Sequence, residues 1–369
     1  MSDPEDTAPI AVPAALRRAP DDPPEPPEPP RVSVEALLKA ARDAALRQPT
    51  PLLPPAQPRP FRPTVGTVAI ADALLRAQEL AEGPPPTGVR FPEQGTTLRS
   101  HRGEYLVTRA LGRGAYGAVY EAVGPFDQRY ALKLIVPANR PYAEVQAEWS
   151  REAERLLRLR HPNVVYMHDA FESDHLFYMA LEYCTCSLRD RLRGPFFPEL
   201  AIEVARQVLA AVQYLHDGDL VHGDLHAGNV LLVEGGERPA VKLTDFGISL
   251  ELQGRAFVRP GVVHHGIMAP EVAVAGYASR QSDLYQLGLL LFHMVTGAPA
   301  LDERVPYDEL LRQVHDGAPR ARAEALGTPL GAVMSKLLRR REAYRYASAR
   351  EVWDDLRRVP EWQAAMRRG

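Results

Sequence analysis

The sequence predicts an α+β chain in which strands come first and helices follow, and three observations carry that prediction. YLVTRALG from Tyr105, GAVYEAVG from Gly117 and YALKLIV from Tyr130 are three β segments divided by turn residues, the pattern of an antiparallel meander. Residues 200–215 (LAIEVARQVLAAVQYL) form a long helix with apolar periodicity. Residues 282–296 read as a helix buried on most of its surface, and shorter helices are expected over 307–315, 330–339 and 349–356.

Composition bounds the rest. The chain has 369 residues, 45% of them hydrophobic, which is material for one domain of about 250 residues or two smaller ones. A formal charge of −3 gives no electrostatic case for nucleic acid or an anionic membrane. No stretch approaches the roughly 20 apolar residues of a membrane span, and MSDPEDTAPI carries acids where a signal peptide carries bases, so a cytoplasmic location is expected. Cys184 and Cys186 are too close in sequence for an ordinary disulfide and lack the clustered partners of a zinc site, so reduced thiols are expected.

The first 30 residues hold ten prolines and seven acids against two arginines, the composition of a disordered tail. Residues 31–102 read as a proline-rich linker with two short helices. The first carries Val34, Leu37, Leu38, Ala41, Ala45 and Leu46 at helical spacing behind a capping Ser33, and the second covers 68–82. Helices of this kind suit docking to a partner or to the rest of the chain, and residues 31–82 are expected to serve that purpose.

Between the first two strands lies Leu111-Gly112-Arg113-Gly114-Ala115-Tyr116-Gly117-Ala118-Val119, a GxGxxGxV. Glycines there let backbone approach a triphosphate and offer amide donors. A dinucleotide fingerprint would lead from strand into helix, whereas here a strand follows. Lys133 then sits in an apolar strand, where pairing to phosphate oxygens is the better reading. In the following helix, over 143–160, Glu152 lies one turn before Leu156 on the packed face and is expected to pair with Lys133, with Glu148 one turn earlier as the runner-up.

The densest signal is His222-Gly223-Asp224-Leu225-His226-Ala227-Gly228-Asn229, followed by Thr244-Asp245-Phe246-Gly247. A carboxylate to orient and deprotonate a hydroxyl (Asp224) and two oxygen ligands for magnesium (Asn229 and Asp245) are what phosphoryl transfer from ATP requires. A histidine beside an aspartate is by itself weak evidence, but here it stands in an ordered series. Glycine loop, Ala131-Leu132-Lys133, Glu152, His161-Pro162-Asn163, HGDLHAGN, Asp245-Phe246-Gly247, Ala269-Pro270-Glu271, Ser282-Asp283 and Arg345 follow one another along the chain. In that order they resemble the protein kinase family, of the bacterial serine/threonine type.

The resemblance implies a two-lobed fold over 103–358, followed by a C-terminal tail over 359–369. A small lobe (103–182) of five antiparallel strands and one helix would be joined at Leu181, Glu182, Tyr183 and Cys184 to a helical large lobe (186–358). ATP with Mg2+ or Mn2+ would bind between them. Leu111 and the glycine loop with Arg113, Ala115 and Tyr116 would cover the phosphates, and Val119, Ala131 and Leu231 would enclose the adenine beside Glu182 and Cys184. Lys133, held by Glu152, would anchor phosphates, while Asp224, with His226 beside it, would act on the hydroxyl of a protein substrate. Leu156, Met167, His222 and Phe246 would stack into the apolar column of an active enzyme, and Arg345 would pair with Glu271.

Departures from the family pattern carry their own expectations. Gly223 stands where many family members have an arginine that receives a phosphorylated side chain, and residues 250–276 contain no serine, threonine or tyrosine. Receiver and donor are missing together, so activity independent of phosphorylation in this loop is expected. His226 replaces the usual lysine, and HGDLH in that form also resembles phosphotransferases acting on aminoglycosides or choline. Small-molecule transfer and a non-catalytic ATP-binding scaffold are the competing readings.

Overall fold

The computed structural model describes residues 91–367, apart from 115–116, 137–140, 235–238, 248, 261–263 and 303. The tail over 1–30 and the two helices expected before residue 83 lie outside the described residues.

The sheet contains six strands where five were expected. They are β1 (Thr97–Ser100), β2 (Gly103–Gly114), β3 (Gly117–Val123), β4 (Arg129–Ile135), β5 (Met167–Ser173) and β6 (Leu176–Glu182), in the antiparallel order β1-β2-β3-β4-β6-β5. The extra strand precedes Gly103, the residue at which the lobe was expected to begin. Its Leu98 is buried with Tyr105, Tyr120, Tyr130, Phe171 and Tyr178, and Phe91 packs against that cluster. TLRS is too short for alternation to be read in the sequence, and pairing with β2 is what makes it a strand.

Helix α1 (Tyr142–Arg158) lies against the sheet because Val145, Trp149, Ala153 and Leu156 form one apolar stripe, all buried. Trp149 Nε1 donates to Tyr178 O at 3.2 Å, fixing the helix against β6 and setting the height at which its glutamates meet the sheet.

Beyond β6 come β7 (Cys186–Ser187), α2 (Leu188–Arg191) and α3 (Pro198–Asp217), then β8 (Leu220–Val221), β9 (Val230–Val233), β10 (Ala240–Leu243), β11 (Leu250–Glu251) and β12 (Phe257–Val258). Next are α4 (Pro270–Ala275), β13 (Ala278–Ser279), α5 (Arg280–Thr296), α6 (Tyr307–His315), α7 (Ala318–Glu324), α8 (Pro329–Leu337), α9 (Ala349–Leu356) and α10 (Pro360–Met366). Helix α5 is apolar nearly all round and buried nearly all round, and it starts at a capping box made by Ser279 and Ser282. A Cβ on Gly288 would meet Leu337 Cβ at 2.9 Å, so glycine sets the close approach of α5 and α8. Both cysteines are free thiols at the join of the two lobes.

The large lobe is tied together by a buried ion pair between Arg345 and Glu271, whose side chains are 0% and 4% exposed. Arg345 Nη1 and Nη2 reach Glu271 Oε1 and Oε2 at 2.8 and 2.7 Å, and its remaining hydrogens go to the carbonyls of Arg339, Arg340 and Gln281. Ser282 Oγ also donates to Glu271 Oε1, at 2.6 Å. Removing Arg345 leaves Glu271 charged in the interior without its counter-charge, with the Ser282 hydroxyl still donating to it. Arg345→Ala is therefore expected to lower unfolding free energy by about 3–5 kcal/mol in urea titrations, and Ser282→Ala by about 1 kcal/mol. The paired replacement Arg345→Met with Glu271→Leu should recover part of the loss, since it removes the unpaired charge but leaves the carbonyls of Arg339, Arg340 and Gln281 without this donor.

Candidate active site

Lys133 lies mid-strand in β4, opposite Val119 of β3 and Met179 of β6. Its Nζ donates to Glu152 Oε1 at 2.7 Å and to Asp245 Oδ1 at 3.0 Å. Glu152 rather than Glu148 is the partner, because Glu152 shares the buried face of α1 with Leu156. Burial alone would lower the Lys133 ammonium, but the Glu152 and Asp245 carboxylates outweigh it and hold its pKa above the ordinary lysine value. The same ammonium holds the Asp245 carboxyl below the usual range. Asp245 adopts φ 64, a conformation uncommon for any residue but glycine, so its position is enforced by what surrounds it. A Cβ on Gly247 would come within 3.2 Å of Glu152 Oε2, so glycine after Phe246 leaves room for that carboxylate.

Across the cleft, Asp224 is held by its neighbours. Asn229 Nδ2 donates to Asp224 Oδ2 at 2.8 Å and to its carbonyl at 3.0 Å, which leaves the Asn229 amide oxygen for another partner. Asp224 Oδ1 is buried and has no hydrogen-bond partner among the described residues. Burial would raise this carboxyl, yet the imidazoles of His226, His222 and His264 more than offset it, so Asp224 titrates below the ordinary aspartate value. His226 Nε2 lies 3.6 Å from Asp224 Oδ2. Its Nδ1 accepts from Gly228 N at 2.9 Å, which places the ring hydrogen on Nε2, toward the aspartate.

Two polar residues of α5 hold the backbone around Asp224. Asp283, fully buried, accepts from His222 N at 2.9 Å, Gly223 N at 2.8 Å and His216 Nε2 at 2.8 Å. Gln286 accepts from Leu225 N at 2.9 Å and donates to Gly223 O at 3.0 Å. Gly223 itself takes φ 78, the left-handed region. Gln286 was not expected from the sequence, although its place three residues after Asp283, in the apolar run from Leu284 to Phe292, was the available signal.

The remaining expected contacts are distributed as follows. Val119, Ala131 and Leu231 are half-buried, on β3, β4 and β9 respectively, and Leu111 is exposed. The Glu182 carboxylate is taken by Lys242 at 2.8 Å, and the Cys184 thiol approaches Glu182 O at 3.9 Å. Burial raises the Cys184 thiol to about 12. The backbone of Arg113 and Gly114 belongs to β2, while Ala115 and Tyr116 lie outside the described residues. Gly117 carries a constraint of its own. A Cβ there would fall 1.9 Å from Leu134 O, so glycine at 117 is required by the approach of β3 to β4, whereas a Cβ on Gly112 would meet open space. Leu156, Met167, His222 and Phe246 are all buried, with the His222 and Phe246 ring centroids 5.2 Å apart.

The segment between Asp245 and Glu271 is anchored at several points. Strand β11 pairs with β8 and β12 with β13. Leu252 is fully buried, and its N–H donates to Asp219 O at 2.9 Å. Arg155 of α1 donates to Phe246 O at 3.4 Å and lies 3.7 Å from Glu251. Ser249, the nearest hydroxyl, is buried and points to His222 O at 3.4 Å. Of the apolar side chains in the segment, Ile267 is buried, Phe257 is exposed with its ring on Tyr277, and Val262 and Val263 lie outside the described residues.

Comparison with known proteins places this geometry. Residues 105–355 match the model of the protein kinase domain. Over 265 residues the chain is 28% identical to serine/threonine-protein kinase PrkC of Bacillus subtilis, covering 69% of this chain and 40% of that protein. Over 269 residues it is 32% identical to serine/threonine-protein kinase PknD of Mycobacterium tuberculosis, covering 69% and 39%. The chain thus spans about two fifths of the length of these relatives. The matched segment makes up about two thirds of the sequence and contains the lysine pair, the aspartate loop and the Arg345 lock, and the chain belongs to the protein kinase family.

Proposed function

We propose that the chain is an ATP-dependent protein kinase that transfers a phosphoryl group to serine or threonine hydroxyls of protein substrates. The observation that carries this reading is the pairing of Lys133 with both Glu152 and Asp245, across from an Asp224 whose buried Oδ1 lacks a partner. A scaffold that only bound nucleotide would have no use for an orphaned carboxylate oxygen, whereas a group that accepts a proton from an incoming hydroxyl must keep one.

ATP and a divalent metal go with the family, and the residues present fit them. The Asp245 carboxylate and the Asn229 amide oxygen are hard ligands suited to Mg2+, with Mn2+ as a substitute. Among the described residues no group of three His, Cys, Asp or Glu side chains is placed to hold a metal ion, and donor phosphate oxygens and water would complete the coordination. The bound metal would neutralise negative charge on the phosphates. Lys133, oriented by Glu152, would hold phosphate oxygens. The open space over Gly112 would admit phosphates to the β2–β3 turn, and Asp224 Oδ1 would orient the acceptor hydroxyl and take its proton. His226 would donate from Nε2 toward the same region but would bring no full charge.

Two regulatory statements belong to the proposal. With β11, Leu252 and Arg155 holding the segment after Asp245, and with Ser249 buried, the loop would be ordered without a phosphate. Residues 31–82 are proposed as a docking element on their sequence alone. No helix among the described residues is long and apolar enough to cross a membrane, and a cytoplasmic place is proposed.

Asp245→Asn and Lys133→Met should each reduce transfer of labelled phosphate to protein substrates by about 10²-fold or more, with the unfolding midpoint little changed. Asp245→Asn retaining a tenth of the wild-type rate, or labelling confined to a panel of metabolites, would overturn the reading. Phosphatase treatment should leave the rate within about threefold of the untreated enzyme, since losing a required charge-assisted network would cost far more. Gly223→Arg should not raise activity, since the new guanidinium would sit at a left-handed residue with no phosphate to receive. A tenfold fall on dephosphorylation, restored by phosphate on a residue mapped within the kinase domain, would show that the loop is switched after all.

A further inference from the structure

Beside Asp224, outside the donor site, lies a cleft of about 440 Å³. Leu225 and Ala227 of the aspartate loop, Ile267 and Leu289 give it apolar walls, and Arg189, His226 and Arg304 stand around it. The charges on these residues are not equivalent. Arg304 is closed on Asp302, with Nε to Oδ1 at 2.8 Å and Nη2 to Oδ2 at 3.0 Å, so that pair is neutral. His226 accepts hydrogen at Nδ1 from Gly228 N, which suits the uncharged ring.

Arg189 differs from both. It is exposed, and its Nη2 lies 3.4 Å from His226 Nδ1. The neighbouring Asp190 carboxylate feels its charge but accepts from Ser187 N and Oγ at 2.9 and 2.6 Å, and no carboxylate forms an ion pair with Arg189 among the described residues. It reaches the loop because residue 228 has no side chain: a Cβ there would fall 2.8 Å from Arg189 Nη2 and 2.7 Å from His226 Cε1. The backbone N–H of Arg189 donates to Ala227 O at 2.9 Å, so α2 is fastened to the loop it overlooks. One edge of the guanidinium is turned to the imidazole, which leaves other donors in their planar fork, a geometry matched to a carboxylate.

We propose that this cleft receives the acceptor segment of the protein substrate, and that Arg189 selects an aspartate or glutamate close to the hydroxyl that Asp224 engages. The proposal rests on the kinase function above and adds the substrate class. The chain carries one segment of this composition itself, with Thr7 following Asp3, Glu5 and Asp6.

The test uses the full-length protein with magnesium ATP. The substrates are a peptide library built on a single threonine, each flanking position fixed in turn as an acid, its amide or a base. Acids at one or two positions should raise kcat/KM about tenfold over the amides, mainly through KM, and bases there should lower it. Arg189→Glu, at an exposed position, should keep the wild-type unfolding midpoint and reverse the order so that bases are preferred, and Arg189→Lys should keep the direction with a smaller ratio. Selectivity that is flat or favours bases in the wild type, or an acid preference unchanged in Arg189→Glu, overturns the proposal. Failure of the kinase reading would look different: the wild type would then label no library member and no generic protein substrate.

Discussion

The carboxylate of Asp283 is the constraint on which the rest of the site depends. It is fully buried at the start of α5 and accepts two backbone N–H groups of the aspartate loop and one imidazole hydrogen. An unpaired carboxylate in that position would be destabilising by several kcal/mol, so the loop has no inexpensive alternative to closing over it. Closing fixes His222, Gly223 and hence Asp224, whose side chain then meets Asn229. Helix α5 is itself held by apolar contacts on nearly all sides and by the Glu271–Arg345 lock acting through Ser282. The geometry around Asp224 in the large lobe is thus inherited from a helix that acts on the loop through its backbone, by Asp283 and Gln286.

What the sequence reveals and what it hides follow from the range of the interactions. Lys133, Glu152, Asp224, Asn229 and Asp245 were legible because each is a chemically specific residue at a spacing few other arrangements use, and the structure brings them together. Helices α3 and α5 were legible because their apolar patterns are long. Strand β1 was hidden because four residues carry no periodicity, and only pairing with β2 makes them a strand. Glycine at 117 was read for phosphate binding alone, and its close approach to Leu134 O on the neighbouring strand was not seen. A single chain reading cannot see such a contact, because it depends on register between strands. Arg155 and Arg189 escaped notice for a related reason: each is one arginine among many until the fold brings it against a loop.

The segment after Asp245 is held by two short strand pairings, the burial of Leu252, the Leu252 N–H donated to Asp219 O, and the Arg155 contacts to Phe246 O and Glu251. On the proposal that this segment needs no phosphate, the position of α1, which contacts it through Arg155, is the variable left for control.

Arg155 gives that variable a thermodynamic meaning. From one turn beyond Glu152 on the same helix, it reaches Phe246 O and Glu251, so α1 grips the nucleotide side through Lys133 and the loop through Arg155. A rigid helix that contacts two regions makes them partners in one equilibrium. If inward placement of α1 favours an ordered loop, an ordered loop favours inward placement by the same free energy. Donor and acceptor, although they occupy separate surfaces, would then bind with positive cooperativity, and any molecule that wedged α1 outward would weaken both without touching either.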